Sequence, residues 1–541
     1  MIRYADPIVP RRPTWEAITQ DFRWPMLDHF NMATACVERW ARQDPNRTAL
    51  LIYDGAGEAD HVSFQSLNRF ANQFANVLTA QGFAKGDRCA ILLPQSLETA
   101  ICHFGIYKCA GVALPLFTLF GEDGLEFRLQ NAGASVLVTD SVNLPKVLNI
   151  RDKLPNLKTI YCIDGGTNGA LDFHKNLSAA SDQFRTKMTT PDDPALLVYT
   201  SGTTGPPKGA LHGHRVLLGH LPCIEMAYNL FPQIGDVHWT PADWAWMGGL
   251  MNTMMPSLYY GAPVVAHRMG KFDPEAAYHL IKSQNVSCSF LPPTALKLMR
   301  QIAPPAKHPL RALFCGGEAL GADTFEWARA ELGLLINEIY GQTECNLVLG
   351  NSVGIFQPKP GSMGRPNPGS EVAVVDETGH PVPPGTVGEI GIKRGHMGMF
   401  LEYWKAPEKT AAKFKNDYLM TGDVAEMDDD GYFWFSSRDD DVITSGGYRV
   451  GPTEIEVCLT RHPAVVMAGV IGIPDEVRGE AIKAFLVLAE GHTWSPDLES
   501  ELRCHVKTRL SPHLTPKVFE PIAALPLTAT GKILRRDLRG L

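Results

Sequence analysis

The chain has 541 residues, 45% of them hydrophobic and 20% charged, with a formal net charge of −8 at pH 7. That length exceeds one ordinary core, so two or more packed units are expected, and the composition excludes a disordered or fibrous chain. The acidic balance argues against a nucleic-acid or anionic-membrane surface, which calls for a basic patch, but leaves room for a nucleotide held by a local cluster of donors.

No apolar run reaches the roughly 18–20 residues needed to span a bilayer, so no integral membrane association is expected. The opening string MIRYADPIVPRRPTW lacks the apolar centre of a signal peptide. The eleven cysteines stand singly, without a C-x-x-C pair or metal-ligand spacing, which reads as a reduced, cytoplasmic protein with buried thiols. His212 and His214 read as surface or core residues rather than ligands.

In chain order, Leu67, Phe70, Ala71, Phe74 and Leu78 recur at helical spacing, and Gly82 marks a stop. Residues 88–93 (RCAILL) predict a buried strand, and residues 100–108 a second helix. The greasy stretch 109–120 reads as buried sheet, and residues 136–139 and 159–163 as further short strands. Strands alternating with helices imply parallel sheets covered on both faces. From Pro366 to about Glu426, turn signals such as Asn367-Pro368-Gly369 and Pro383-Pro384-Gly385 separate short strands, predicting a compact β-rich annex. After Arg438 the run Asp439-Asp440-Asp441 precedes strand patterns VMAGVIGI and AIKAFLVL and the helix PDLESELRCHVKTRL. The expectation is an α/β protein with a large N-terminal unit, residues 1–439, and a small C-terminal α+β unit, residues 440–541.

The sharpest local signal is residues 199–209, YTSGTTGPPKG, following the apolar strand 195–199. Glycines there turn successive N–H groups toward one point, and hydroxyls and an ammonium add donors for phosphate oxygens. The spacing differs from the G-x-x-x-x-G-K-[ST] loop, and the plain alternative is a flexible surface loop. Further segments follow in order: Gly316-Gly317-Glu318-Ala319, Tyr340-Gly341-Gln342-Thr343-Glu344, residues 418–423 (YLMTGD), residues 438–456, and residues 526–532 (PLTATGK).

Together these segments resemble the adenylate-forming superfamily, which includes acyl-CoA synthetases, luciferases and peptide-synthetase adenylation domains. The similarity runs through nearly the whole chain and looks most like medium-chain acyl-CoA synthetases. It implies ATP, Mg²⁺ and coenzyme A as co-substrates or cofactor, and a small-molecule carboxylic acid as partner; it leaves a homo-oligomer open. By resemblance, Thr200, Ser201, Gly202, Thr203, Thr204, Gly205 and Lys208 cradle the β- and γ-phosphates. Glu344 matches the Mg²⁺-binding glutamate. Gly317, Glu318 and Ala319, with Glu338, Tyr340, Gly341, Gln342 and Thr343, match the walls around adenine. Asp423 matches the aspartate that accepts the ribose hydroxyls, Arg438 an arginine beside it, and Arg449 one near the phosphates.

Lys532 resembles the family lysine that reaches carboxylate and α-phosphate; unaided, it would read as a solvated basic tail. Asp440 aligns with the hinge about which the C-terminal unit rotates between half-reactions, bringing Gly446, Gly447 and Tyr448 to the site for coenzyme A. The alternative is a merely solvated acidic linker. Acetate-specific relatives carry Trp where this chain has Gly341, so the missing indole is expected to open the acyl pocket to a longer, branched or aromatic acid. Trp246 matches the family's acyl-site tryptophan better than Trp244. The competing readings are an acetyl- or propionyl-CoA synthetase and an adenylating enzyme that loads a carrier protein. A luciferase-like oxygenase shares the adenylation step, whereas a dead nucleotide-binding regulator is disfavoured because Lys208, Glu344, Asp423 and Lys532 are all present.

Overall fold

The computed structural model describes residues 5–167, 169–200, 206–317, 320, 322–438, 443–526, 533 and 535–541. Among these residues the strands form four sheets. The first is nine-stranded, and its central strands run parallel in the order Ile336–Gln342, Ala312–Gly316, Cys288–Phe290, His238–Trp239, Val264–Ala266, Thr48–Ile52. The second is eight-stranded, with a parallel run of Pro194–Thr200, Val112–Pro115, Arg88–Leu92, Val136–Thr139 and Thr159–Cys162. Its far edge turns antiparallel through Lys208–Gly213 and Glu402–Tyr403.

Helices fill the space between these two sheets. Phe64–Ala80 buries Leu67, Ala71, Phe74 and Leu78 on one face while Gln65 and Arg69 stay exposed. Ser63 caps it by accepting from the Ser66 amide at 3.1 Å, and the stop lies at Gly82, whose φ of +78° is cheap only for glycine. Leu97–Lys108 and Val216–Ala227 are buried almost all round. One apolar cluster joins Phe74, Phe104, Leu217 and Ile224 of the helices to Ile91 and Val138 of the second sheet and Leu50 and Phe314 of the first. Burying each such side chain contributes roughly 1.5–3 kcal/mol, so the two sheets and their helices form one core rather than two.

The third sheet is antiparallel, built from Val372–Val375, Gly388–Lys393, Tyr418–Met427 and Phe414–Lys415, with Phe433–Arg438 added beside Tyr418–Met427. It is the expected β-rich annex, but it runs on to Arg438, because the last strand needs Tyr418–Met427 to satisfy its backbone. The stretch 109–120 is less regular than expected: only Val112–Pro115 is strand, and the chain then turns into the helix Glu122–Ala132. The fourth sheet comprises Tyr448–Val450, Ile443–Ser445, Gly479–Leu488, Val465–Asp475 and Val518–Pro521. With helices Pro452–Thr460 and Pro496–Arg509 it encloses its own apolar cluster, including Ile443, Leu459, Val470, Leu486 and Leu502. Among the described residues, no helix is long and apolar enough to cross a membrane.

Close backbone approach holds the annex side to the core at Gly219, where a Cβ would lie 2.0 Å from the Gly398 nitrogen. Gly219→Ala is therefore expected to lower stability by about 1–3 kcal/mol through overpacking. Thermal unfolding of the purified variant checks this; an unchanged midpoint would mean that the 397–398 segment simply yields.

Candidate active site

The expected phosphate loop spans the open end of an antiparallel pair. Strands Pro194–Thr200 and Lys208–Gly213 are in register from Leu196↔His212 to Thr200↔Lys208. Ser201, Gly202, Thr203, Thr204 and Gly205 lie outside the described residues. Thr200 donates its hydroxyl to the Lys208 carbonyl at 3.4 Å, and the Lys208 ammonium sits 5.3 Å from the centre of the Tyr403 ring. The Tyr403 hydroxyl in turn donates to Glu344 Oε1 at 2.6 Å. A buried carboxylate, a phenol and an ammonium thus meet beside the loop.

A second group forms around Asp423, which is buried on strand Tyr418–Met427. Tyr340 donates its hydroxyl to Asp423 Oδ2 at 2.7 Å, and the Gln342 amide donates to the same oxygen and to the Thr421 carbonyl at 3.0 Å. Burial and the neighbouring Asp423 carboxylate push the Tyr340 phenol upward, so it stays protonated as a donor. Arg438 lies directly across the strand pair from Asp423. Glu338 accepts from the Leu320 amide at 3.3 Å, and burial raises its carboxyl to about 7. Thr343 follows in the turn toward Glu344, while Glu318 and Ala319 lie outside the described residues.

The third group brings the C-terminal sheet to the core. Gly446 and Gly447, with φ of +59° and +80°, make the two-residue turn between Ser445 and Tyr448, a conformation that two glycines adopt without strain. A Cβ on Gly317, itself at φ +96°, would lie 3.8 Å from the Trp246 ring and 3.9 Å from the Gly447 carbonyl oxygen. A Cβ on Gly446 would lie 3.9 Å from Thr294 Oγ1. The Tyr448 ring stacks on His513 at 4.1 Å and meets Phe117 at 5.8 Å. Arg449 pairs with Thr444 in the same hairpin. Asp440 and Lys532 lie outside the described residues.

The "AMP-binding enzyme" model matches residues 37–404, and the "AMP-binding enzyme C-terminal domain" model matches residues 454–532. The chain belongs to the AMP-binding enzyme family. It is 34% identical to the mitochondrial acyl-coenzyme A synthetase ACSM4 of Homo sapiens over 97% of this chain and 92% of that protein. It is 35% identical to the acetyl-coenzyme A synthetase of Bacillus subtilis (strain 168), over 94% of this chain and 90% of that one. The solved o-succinylbenzoate CoA synthetase of Bacillus subtilis, a double mutant bound with its product analogue, superposes with a TM-score of 0.81 at 27% identity, covering 95% and 99% of the two chains.

In this AMP-binding enzyme the two tryptophans of residues 243–249 differ. Trp244 is fully buried in the core, whereas Trp246 is half-buried, packs 5.8 Å from Phe290 and faces Gly317. Asp243 beside them is pushed up to about 6 by burial. At Gly341 a Cβ would lie 1.8 Å from the Asn346 carbonyl oxygen and 2.9 Å from the Leu347 Cα. The tight hairpin between Ile336–Gln342 and Asn346–Gly350 therefore favours glycine at this position. His212 and His214 are core residues, both lowered to about 3 by burial and so neutral.

Sequence reasoning missed Tyr403. No local pattern marks it, because its partner Glu344 is remote in the chain, and the pairing of Glu402–Tyr403 with Lys208–Gly213 together with the Phe400 amide bond to the Glu344 carbonyl brings the two together. Gly341→Ala is expected to depress turnover of every acid alike and to destabilise the protein by about 1–3 kcal/mol. A chain-length profile compared with wild type checks this; a selective shift toward acetate would support the pocket role.

Proposed function

We propose that this chain is an AMP-forming acyl-CoA synthetase, an acid–thiol ligase that converts a carboxylic acid, ATP and CoA to acyl-CoA, AMP and diphosphate. The observation that carries the reading is the Gly446–Gly447 turn against Gly317 and Trp246: side-chain-free backbone of the C-terminal sheet borders an apolar wall beside the nucleotide groups.

In the first step the carboxylate attacks the α-phosphorus and diphosphate leaves, giving a mixed anhydride. Bringing carboxylate and triphosphate together crowds negative charge, so fixed cations and aimed donors carry the catalysis. Lys208 and the loop donors bind the phosphates, and Lys532 meets the carboxylate and α-phosphate. Asp423 receives the ribose hydroxyls, held in orientation by Tyr340 and Gln342. Glu344, a hard oxygen donor beside an ammonium, suits Mg²⁺, which would neutralise phosphate charge. In the second step the CoA thiol loses its proton, attacks the acyl carbonyl and expels AMP. Glycines at 446 and 447 leave room for the pantetheine arm, and Tyr448 flanks it. Asp440 serves as the pivot between the two arrangements, and residues 440–541 move as the unit.

The acid we favour is short- or medium-chain, branched or aromatic. Support comes from the apolar wall of Trp246 and Phe290 and from likeness to ACSM4. Turnover with Mg-ATP and CoA across acetate to decanoate, branched acids and benzoate tests it. CoA-dependent AMP release peaking beyond propionate is expected. A peak at acetate would favour the acetyl-CoA synthetase alternative, and adenylation without thioester would favour a carrier-protein acceptor.

The half-reactions should separate by mutation. Lys532→Ala is expected to cut acyl-AMP formation at least about 100-fold while sparing thioester formation from supplied acyl-AMP. Gly447→Leu should do the reverse. Measurement of pyrophosphate exchange and thioester release decides, and equal losses in both assays would refute the roles.

A further inference from the structure

Outside the site, the C-terminal unit is seated on the core at the start of helix Glu122–Ala132. Asp123, in its first turn, receives Arg461 at 2.7 Å and Arg509 at 3.3 Å, both from the C-terminal unit. The sign reverses one turn later, where the buried Arg128 lies 3.5 Å from Glu454. The Gly121 amide donates to the Leu510 carbonyl just past the end of helix Pro496–Arg509. One helix therefore begins where the other ends, opposite dipole ends meeting, with Asp123 and Arg509 each placed favourably for its own helix. Gly121 is obligatory there, since a Cβ would lie 1.9 Å from the Thr508 carbonyl oxygen.

This seat is connected to the site. Arg509 ends the helix that leads through Leu510 to His513, His513 stacks on Tyr448, and Tyr448 closes the Gly446–Gly447 turn. Phe117, just before Gly121, touches both the Tyr448 and His513 rings, at 5.8 and 6.0 Å. From this geometry we infer that Asp123 is a positioning residue for thioester formation. Through Arg461 and Arg509 it holds the C-terminal unit in the pose that keeps the 446–447 turn against Gly317 and Trp246. Asp123 touches no reacting atom, and the inference rests on the half-reaction reading above. Arg461 and Arg509 are half-exposed, so each pair alone is weak and screened by salt. Two pairs converging on one carboxylate still bias an equilibrium between poses that a domain-rotating enzyme keeps near balance.

The test uses the full chain, pyrophosphate exchange for the first half-reaction, and supplied acyl-AMP with CoA for the second. Asp123→Arg is expected to slow thioester formation about tenfold while leaving exchange within about twofold, and Asp123→Glu should behave as wild type. Adding Arg461→Asp and Arg509→Asp to Asp123→Arg should recover most of the loss. Wild-type thioester formation should also fall with rising salt more steeply than that of Asp123→Arg. An unchanged second step, equal loss in both steps, or no recovery in the charge-swapped variant would each overturn the inference. A wild-type enzyme that makes acyl-AMP but never thioester would instead overturn the synthetase reading itself.

Discussion

Residues 400–404 stitch the two large sheets together beside the strand Lys208–Gly213, and the candidate site depends on that seam. The Phe400 amide donates to the Glu344 carbonyl at 2.8 Å, the Leu401 amide to Leu211 and the Trp404 amide to Gly209, both at 2.7 Å, while the Tyr403 hydroxyl takes the Glu344 carboxylate. Glu344 belongs to the hairpin edge of the first sheet, and Leu211 and Gly209 belong to the second. A shift of this segment by one residue would turn Tyr403 away from Glu344, because side chains alternate faces along a strand. The placing of the Glu344 carboxylate relative to the Lys208 ammonium is thus set by backbone pairing rather than by two independent side chains.

Among the described residues, the carboxylates of the candidate site are buried with partners. Glu344 has Tyr403, Asp423 has Tyr340 and Gln342, and Glu338 has the Leu320 amide. Unpaired burial of a carboxylate is costly, and a hydrogen-bonded one is already desolvated and aimed before substrate arrives. That preorganisation suits a reaction whose barrier is electrostatic crowding. Glu338 accepts from the Leu320 amide and is raised by burial, whereas Tyr340 is kept neutral beside an anion; both follow from a shortage of water, not from a special chemistry of either residue.

The glycines divide into two kinds. Gly446 and Gly317 leave space where the 446–447 turn, Thr294 and Trp246 come near one another. Gly341, Gly219 and Gly121 leave no space at all, since backbone from another segment occupies the direction of their absent side chains. Sequence alone cannot separate these kinds, because it does not show which distant backbone occupies a given direction. The same contact logic makes Gly121 part of the seat on which the C-terminal sheet rests, so the pose of that sheet is governed by charges and packing well away from any ligand.

Much of the architecture was legible in the sequence. Periodicity gave the helix Phe64–Ala80, and apolar runs gave the strands Arg88–Leu92, Val136–Thr139, Val465–Asp475 and Gly479–Leu488. These are read from neighbours within a few residues, and burial reinforced them. Family resemblance named Lys208, Glu344, Tyr340, Gln342 and Asp423 because their spacing in the chain is itself a signature. Tertiary structure alone decided that Tyr403 joins Lys208 to Glu344, that backbone fills the direction of the absent Gly341 side chain, and that Asp123 meets Arg461 and Arg509. Each of these depends on contacts between residues far apart in sequence, and a short-range pattern carries no information about which distant segment will occupy a given direction.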